Sequence, residues 1–143
     1  MSMDTLLLSF RCEVSLGGTT PPEAFVQLPD ARFSIGTCTE GIAQVVRMLS
    51  SGGATEDDLS AAVLETDGAA ALAHLYYRLE RWGEVGLLRY VVEGADGPLA
   101  ILEPMTSGLA TAGVAPDEGT RFRLSRFAYL RRDGDTLVLA MRV

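Results

Sequence analysis

The first quarter of the chain alternates loosely between apolar and polar positions, a pattern typical of half-buried β-strands. It predicts strands over residues 6–16, 24–28 and 32–35, which are separated by turns rich in glycine and proline. Strands so close in sequence pair most simply with their neighbours. We therefore expect a small three-strand antiparallel meander in the first 36 residues.

The hydrophobic period then lengthens to that of a helix. Apolar residues between Ile42 and Leu49 fall at helical spacing and predict a first helix. A second helix is expected to begin at Thr55, because Thr55-x-x-Asp58 resembles a capping box. The same device is expected at Thr37-x-x-Glu40, ahead of the first helix.

A third and longer helix is predicted over 68–83, with Asp67 as its N-cap. By spacing, its buried side is formed by Leu72, Leu75, Tyr76, Leu79 and Trp82. The polar residues His74, Arg78 and Arg81 fall on the opposite side. The single histidine is therefore expected to face solvent or a groove rather than to bind a metal.

Two apolar strands follow the helices, at 87–92 and 99–102, with turn-forming residues between them. Three helices followed by a hairpin predict an α+β fold, a winged helix-turn-helix with an N-terminal three-strand antiparallel meander and a wing hairpin. This first domain is expected to span residues 1–104.

The composition changes after residue 104 to glycine, alanine, threonine, serine and proline, which predicts a linker over 105–120. Strands at 122–131 and 136–142 then predict a C-terminal β-hairpin within 121–143. An isolated hairpin is marginally stable. It is expected either to fold back on the first domain or to be the start of a truncated second module.

The residue types needed for catalysis are nearly absent. There are one histidine and two cysteines, and no lysine, so no phosphate-binding P-loop can form. No short-spaced metal-ligand motif occurs, and Cys12 and Cys38 are expected to stay free thiols in a cytoplasmic protein. The chain is not expected to be an enzyme by itself, to hold a metal or cofactor, or to enter a membrane.

Charge argues against DNA, the usual partner of a winged helix. The chain has 19 acidic and 12 basic residues, a formal net charge of −7. Acidic residues dominate the second helix, and Glu93 and Asp96 flank the wing turn, where phosphate contacts need cations. Nucleic acid is therefore not expected as a partner.

The alternative use of this architecture is peptide capture, in which an extended peptide adds a strand beside a helix. The strand at 32–35 and the polar side of the third helix would form the walls, and the arginines favour an acidic peptide with apolar anchors. Phe33 and Ile35 are alternate residues, so one of them is expected to belong to the core instead. The candidate peptide-binding residues are Arg32, Phe33, Ser34, Ile35, His74, Tyr77, Arg78 and Arg81.

Three stretches of the chain resemble a known family. They are GGATEDDLSAAVLETDGAAALAHLYYRLERWGEVGLLRYVV, GPLAILEPM and RFRLSRFAYLRRDGDTLVL. Over residues 50–139 they resemble the N-terminal region of SagB-type (ThcOx-like) dehydrogenases, FMN-dependent enzymes that oxidise azolines in peptides to thiazoles and oxazoles. In that family this region resembles the winged-helix, PqqD-like RiPP recognition element that holds a precursor's leader peptide, and a nitroreductase-fold FMN domain follows it.

The resemblance implies recognition of a leader peptide and its presentation to a maturation enzyme, such as a cyclodehydratase or dehydrogenase. The FMN domain would begin after the C-terminal hairpin, and the sequence stops at Val143, so no flavin-binding residue is carried over. A stand-alone protein and a truncated one both fit. Two other roles stay open, a structural docking or homodimerisation domain and a winged-helix DNA-binding regulator.

Overall fold

The computed structural model describes residues 5–103, 119, 121, 126 and 128–141. The chain divides into two compact units, Met1–Leu109 and Ala110–Val143. The elements are β1 (Thr5–Phe10), β2 (Glu13–Leu16), β3 (Glu23–Gln27), β4 (Arg32–Thr37), α1 (Glu40–Ser50), α2 (Glu56–Asp67), α3 (Leu72–Glu84), β5 (Leu88–Gly94), β6 (Gly97–Leu102), β7 (Ala128–Asp133) and β8 (Thr136–Met141). This order confirms the predicted α+β fold: N-terminal antiparallel strands, three helices, a wing hairpin and a C-terminal hairpin.

The segment predicted as one long first strand forms two strands in different sheets, so that prediction was wrong. A bend at Arg11 and Cys12 separates β1 from β2. Strands β2, β3 and β4 form the predicted meander, whereas β1 pairs with β5 in a second sheet of order β1-β5-β6. The bend lets one continuous run of alternating residues contribute to both sheets.

The helices and the two sheets of the first unit enclose one hydrophobic core. Its largest fully buried side chains come from all three helices, from β5 and from Cys38 just before α1. Phe10 of β1 contacts Trp82 of α3 edge to face, with ring centroids 5.4 Å apart. The strand β1 is also tied to the start of α2, because Leu8 and Ala54 exchange two backbone hydrogen bonds of 2.8 and 2.9 Å. The sheet β1-β5-β6, which we call the wing sheet, is thereby attached to the helices.

The helix ends confirm one predicted cap and correct two others. Thr55 and Asp58 form the predicted capping box of α2. The α1 cap is Thr39, whose hydroxyl accepts from the amide of Ile42, because Thr37 is still part of β4. Asp67 does not cap α3; it ends α2, and α3 follows a short 3₁₀ turn instead.

Asp67 caps α1 from a distance in sequence. Its two carboxylate oxygens each accept from the Gly41 amide at 3.1 Å, and one accepts from the Thr39 hydroxyl at 2.5 Å. A carboxylate at a helix N-terminus satisfies a free amide and opposes the helix dipole. Gly41 permits this approach, since a Cβ at that position would lie 2.4 Å from an Asp67 oxygen.

Replacing this carboxylate is expected to weaken the fold measurably. Asp67→Ala should lower the free energy of unfolding by about 1–2 kcal/mol, because the α1 amide loses its acceptor. Urea denaturation followed by circular dichroism measures the change. Glu65→Ala removes an exposed carboxylate from the same helix and serves as the control; an equal effect of both variants would contradict the capping role.

The α3 face follows the predicted spacing with one exception. Leu75, Leu79 and Trp82 are buried as expected, and Leu72 packs partly against the core. Tyr76 is 45% exposed instead of buried, because it lies at the border with α2 and its hydroxyl is hydrogen-bonded to that of Ser60 at 3.0 Å. The polar end of a tyrosine favours such a border position.

The second unit contains the predicted hairpin. Strands β7 and β8 pair antiparallel, from Ala128 with Met141 to Asp133 with Thr136. The predicted linker at 105–120 and the predicted start of the hairpin at 122–127 lie almost wholly outside the described residues, and the domain limits stay a prediction. Within the described part of the chain, no helix is long and apolar enough to cross a membrane.

Candidate functional site

The strand β4 has an open edge. It is the outer strand of the sheet β2-β3-β4, and no other strand of the described residues pairs with it. At the β3–β4 turn the Leu28 amide donates to the Ala31 carbonyl, so these two residues form a hydrogen-bonded pair. Along an antiparallel ladder, hydrogen-bonded pairs alternate with pairs whose backbone groups point away from each other. Phe33 therefore bonds to β3, whereas Arg32 and Ser34 present their backbone amides and carbonyls to the open edge.

The far half of this edge is closed by an arginine from α3. A β-bulge shifts the pairing near Ile35, between the Ala24–Gly36 and Phe25–Ser34 pairs. The Arg78 guanidinium donates to the carbonyl of Ile35 at 2.8 Å and to that of Thr37 at 2.7 Å. We call this pair of hydrogen bonds the Arg78 bridge.

Gly36 makes room for the Arg78 bridge. Its φ of +107° lies in a region that L side chains rarely adopt, and a Cβ there would lie 2.8 Å from a terminal nitrogen of Arg78. The bulge and the glycine together turn two carbonyls towards α3. Residue 36 is therefore part of the site although it was not among the candidate residues; the signal was a glycine directly after the predicted strand 32–35, which the structure places within β4.

Arg78 is thus bonded within the protein, whereas the sequence suggested that it would face a peptide. It is half-buried, and its Nε donates to Nε2 of the exposed His74 at 3.4 Å. Cys38, just beyond β4, is a buried free thiol. Burial raises the pKa of the Cys38 thiol, and the nearby Arg78 charge opposes that shift without cancelling it.

The two apolar residues of β4 separate as expected, one to the core and one to the surface. Ile35 is half-buried and packs against the core. Phe33 pairs with the buried Val26 and so lies on the same face of the sheet, yet its side chain is 55% exposed. It offers an aromatic surface beside the open edge.

The remaining polar residues of β4 are held by β3. The Arg32 guanidinium stacks 3.7 Å above the centre of the Phe25 ring, and the Ser34 hydroxyl donates to Glu23. The Ser34 hydroxyl also accepts from the Gly36 amide at 3.2 Å. These contacts keep the side chains on one face of β4 and leave its edge uncovered.

Tyr77 and Arg81 lie on the outer surface of α3. Tyr77 is 63% exposed, and Arg81 forms an exposed ion pair with Glu84 at 3.4 Å. Among the described residues neither is hydrogen-bonded to β4. Hydrogen bonds therefore connect Arg78 with Ile35 and with His74, whereas in the described residues none joins Tyr77 or Arg81 to the strand.

Electrostatics of the first unit disfavour a phosphate backbone. The exposed surface of α3 carries Glu80 and Glu84 beside Arg81, and the wing turn carries Asp96. The edge of β4 has a different charge, because Arg32 and Arg78 lie beside it. Neither arginine takes part in the ion pairs of the described residues. Within those residues, no group of histidine, cysteine and carboxylate side chains could hold a metal ion.

The chain matches a known protein-family model. Residues 1–111 match the model described as the ThcOx helix turn helix domain. The match includes the N-terminal strands, which lie outside the sequence resemblance over 50–139, and it ends before the C-terminal hairpin. No curated protein matches the chain.

Proposed function

Because the chain belongs to the ThcOx helix turn helix domain family, we propose that it binds the leader segment of a precursor peptide. The family links the chain to the biosynthesis of thiazole- and oxazole-containing peptides. The proposed role is non-catalytic: the domain presents the peptide to a maturation enzyme, and any FMN belongs to that enzyme's own domain.

The observation that carries this proposal is the open edge of β4 beside α3. Backbone amides and carbonyls of Arg32 and Ser34 are available there for an added strand, and such pairing gives affinity with little demand on sequence. Edges that take no partner strand are often covered by a helix or a loop. No further strand of the described residues pairs with β4 at Arg32 and Ser34, so their outward backbone groups are available.

The surroundings of the edge indicate the chemistry of the peptide. Phe33 provides an exposed aromatic surface, and Arg32 and Arg78 provide positive charge in a chain of net charge −7. We infer an extended peptide with an apolar anchor and acidic neighbours. The proposed contacts are Arg32, Phe33, Ser34 and Ile35 on β4 and His74, Tyr77, Arg78 and Arg81 on α3.

A proline at the edge tests strand addition directly. Arg32→Pro removes one outward-facing amide at the first residue of β4, a position where strands tolerate proline. Arg32→Ala removes the side chain and keeps the amide. We expect the proline variant to bind a labelled leader peptide about tenfold more weakly than the alanine variant, the effect of about one hydrogen bond.

Fluorescence polarisation with leader peptides encoded beside the gene gives both affinities, and labelled duplex DNA is the control. Equal binding by the two variants would contradict pairing at this edge. Affinity for duplex DNA that falls steeply with salt would favour the DNA-binding alternative. No binding to either probe, with a dimer in sedimentation, would favour docking; exposed Leu137 and Leu139 on β8 give that role some support.

A further inference from the structure

The Arg78 bridge divides the open edge of β4 into two unequal parts. Arg32 and Ser34 keep free backbone groups, whereas the carbonyls of Ile35 and Thr37 are occupied by the guanidinium. An added strand needs these carbonyls as acceptors for its own amides. The two parts therefore cannot accept a peptide equally.

We propose that Arg78 sets the end of the bound strand: a peptide pairs with Arg32 and Ser34 and leaves the edge before Thr37. This inference rests on the proposed function, since it concerns the same edge. It changes the role of Arg78 from a ligand contact to a positioning residue. It also defines the peptide class, one with a short extended segment followed by residues that turn away.

The bridge is expected to withstand competition from a peptide backbone. Its two hydrogen bonds come from a charged donor and measure 2.8 and 2.7 Å, within the range of charge-assisted bonds, which are about twice as strong as neutral ones. A peptide would replace them with neutral amide bonds and would take both carbonyl acceptors from the terminal nitrogens of the half-buried guanidinium. Displacing Arg78 is therefore unfavourable.

The local backbone supports the same conclusion. The bulge and the positive φ of Gly36 shape β4 so that both carbonyls point at one guanidinium. In a regular strand every second residue would present its amide and carbonyl to an added peptide along the whole length of the edge. Here the regular part ends at Ser34, which agrees with the limit that Arg78 sets.

Amide hydrogen exchange by NMR can locate the end of the bound strand. The probe is a 12-residue peptide selected for binding to the wild-type protein from a random phage-displayed library, long enough to cover all of β4. At a peptide concentration 100 times Kd, paired edge amides should exchange about a hundredfold more slowly. In the wild-type protein we expect this slowing at Arg32 and Ser34 and none at Thr37.

The variant Arg78→Met removes the donors and keeps an unbranched apolar side chain. We expect the peptide to protect Thr37 as well in this variant, because the carbonyls of Ile35 and Thr37 become available. Arg47→Met is the matched control, since Arg47 is an exposed arginine on α1 that pairs with Glu40 instead of β4 and is not among the proposed peptide contacts; it should keep the wild-type pattern.

The outcomes distinguish failure of the limit set by Arg78 from failure of strand addition at β4. Protection of Thr37 in the wild-type complex, or an unchanged pattern in Arg78→Met, would overturn the limit set by Arg78 and leave peptide binding intact. Absence of protection at Arg32 and Ser34 would overturn strand addition itself, and with it this inference. If Arg78→Met does not fold, the wild-type pattern at Thr37 still decides the question.

Discussion

Trp82→Ala is expected to lower the free energy of unfolding by about 3–5 kcal/mol. Trp82 is 2% exposed and contacts the Phe10 ring edge to face, so its removal leaves a cavity where α3 meets the wing sheet. Stabilities of ordinary domains are about 5–15 kcal/mol. The variant should therefore be only marginally folded at room temperature.

Urea denaturation followed by far-ultraviolet circular dichroism measures this loss, because the substitution removes the single tryptophan and with it the fluorescence signal. Tyr77→Ala is the control on the same helix. Its side chain is 63% exposed, and we expect a change within about 0.5 kcal/mol. A loss below about 1 kcal/mol for Trp82→Ala would show that the core does not depend on this contact.

Gly53→Ala is expected to lower the free energy of unfolding by about 3 kcal/mol, because it adds backbone strain and a steric clash. Gly53 has a φ of +90°, and a Cβ there would lie 2.6 Å from the carbonyl oxygen of Leu8. That oxygen accepts from Ala54 in the pair of bonds that ties β1 to α2. A methyl group would have to push the two segments apart.

A substitution at the neighbouring Gly52 allows the backbone strain to be measured without the steric clash. Gly52 has a φ of +113°, and a Cβ there would have no atom within 4 Å. Gly52→Ala should therefore show the conformational cost alone, about 1–2 kcal/mol. Thermal unfolding of both variants gives the comparison, and equal losses would mean that the contact with Leu8 has no part in the effect.

Most of the fold could be predicted from periodicity and turn chemistry. The helices and both hairpins lie near their predicted positions, because amphipathic spacing and turn residues are local signals. The break at Arg11 and Cys12 could not be predicted, since apolar residues alternate without interruption from Leu8 to Leu16. Which strand pairs with which is decided by the tertiary structure, and here it assigns β1 to the wing.

Capping was only partly predictable for a similar reason. The Thr55–Asp58 box is local, and the sequence identifies it directly. Asp67 is a residue type typical of N-caps, and its position predicts a cap for the helix that follows. In the structure it instead caps α1, which begins 27 positions earlier. A carboxylate caps the nearest helix in space, and that helix cannot be identified from spacing along the chain.

The candidate site shows the same limit. The strand at Arg32–Ile35 and its neighbouring helix could be proposed from element order, and the structure has both. The orientation of Arg78 depends on a bulge and on Gly36, neither of which changes the hydrophobic pattern of β4. An arginine on a predicted helix shows that positive charge lies near the strand. The sequence does not show whether its guanidinium already donates to carbonyls of the protein itself.

The pairing of β1 with β5 also bears on the order in which the chain acquires its structure during synthesis. Phe10 pairs with Leu88, so the first strand is translated roughly eighty residues before its partner. At about 5–20 residues per second, this delay lasts about 4–16 s. The meander and α1 can form within that interval from local contacts, whereas β1, with its run of leucines, waits unpaired. A nascent chain therefore passes through a stage in which an apolar strand is exposed, and binding of a chaperone to this N-terminal segment would be favoured before residue 88 emerges.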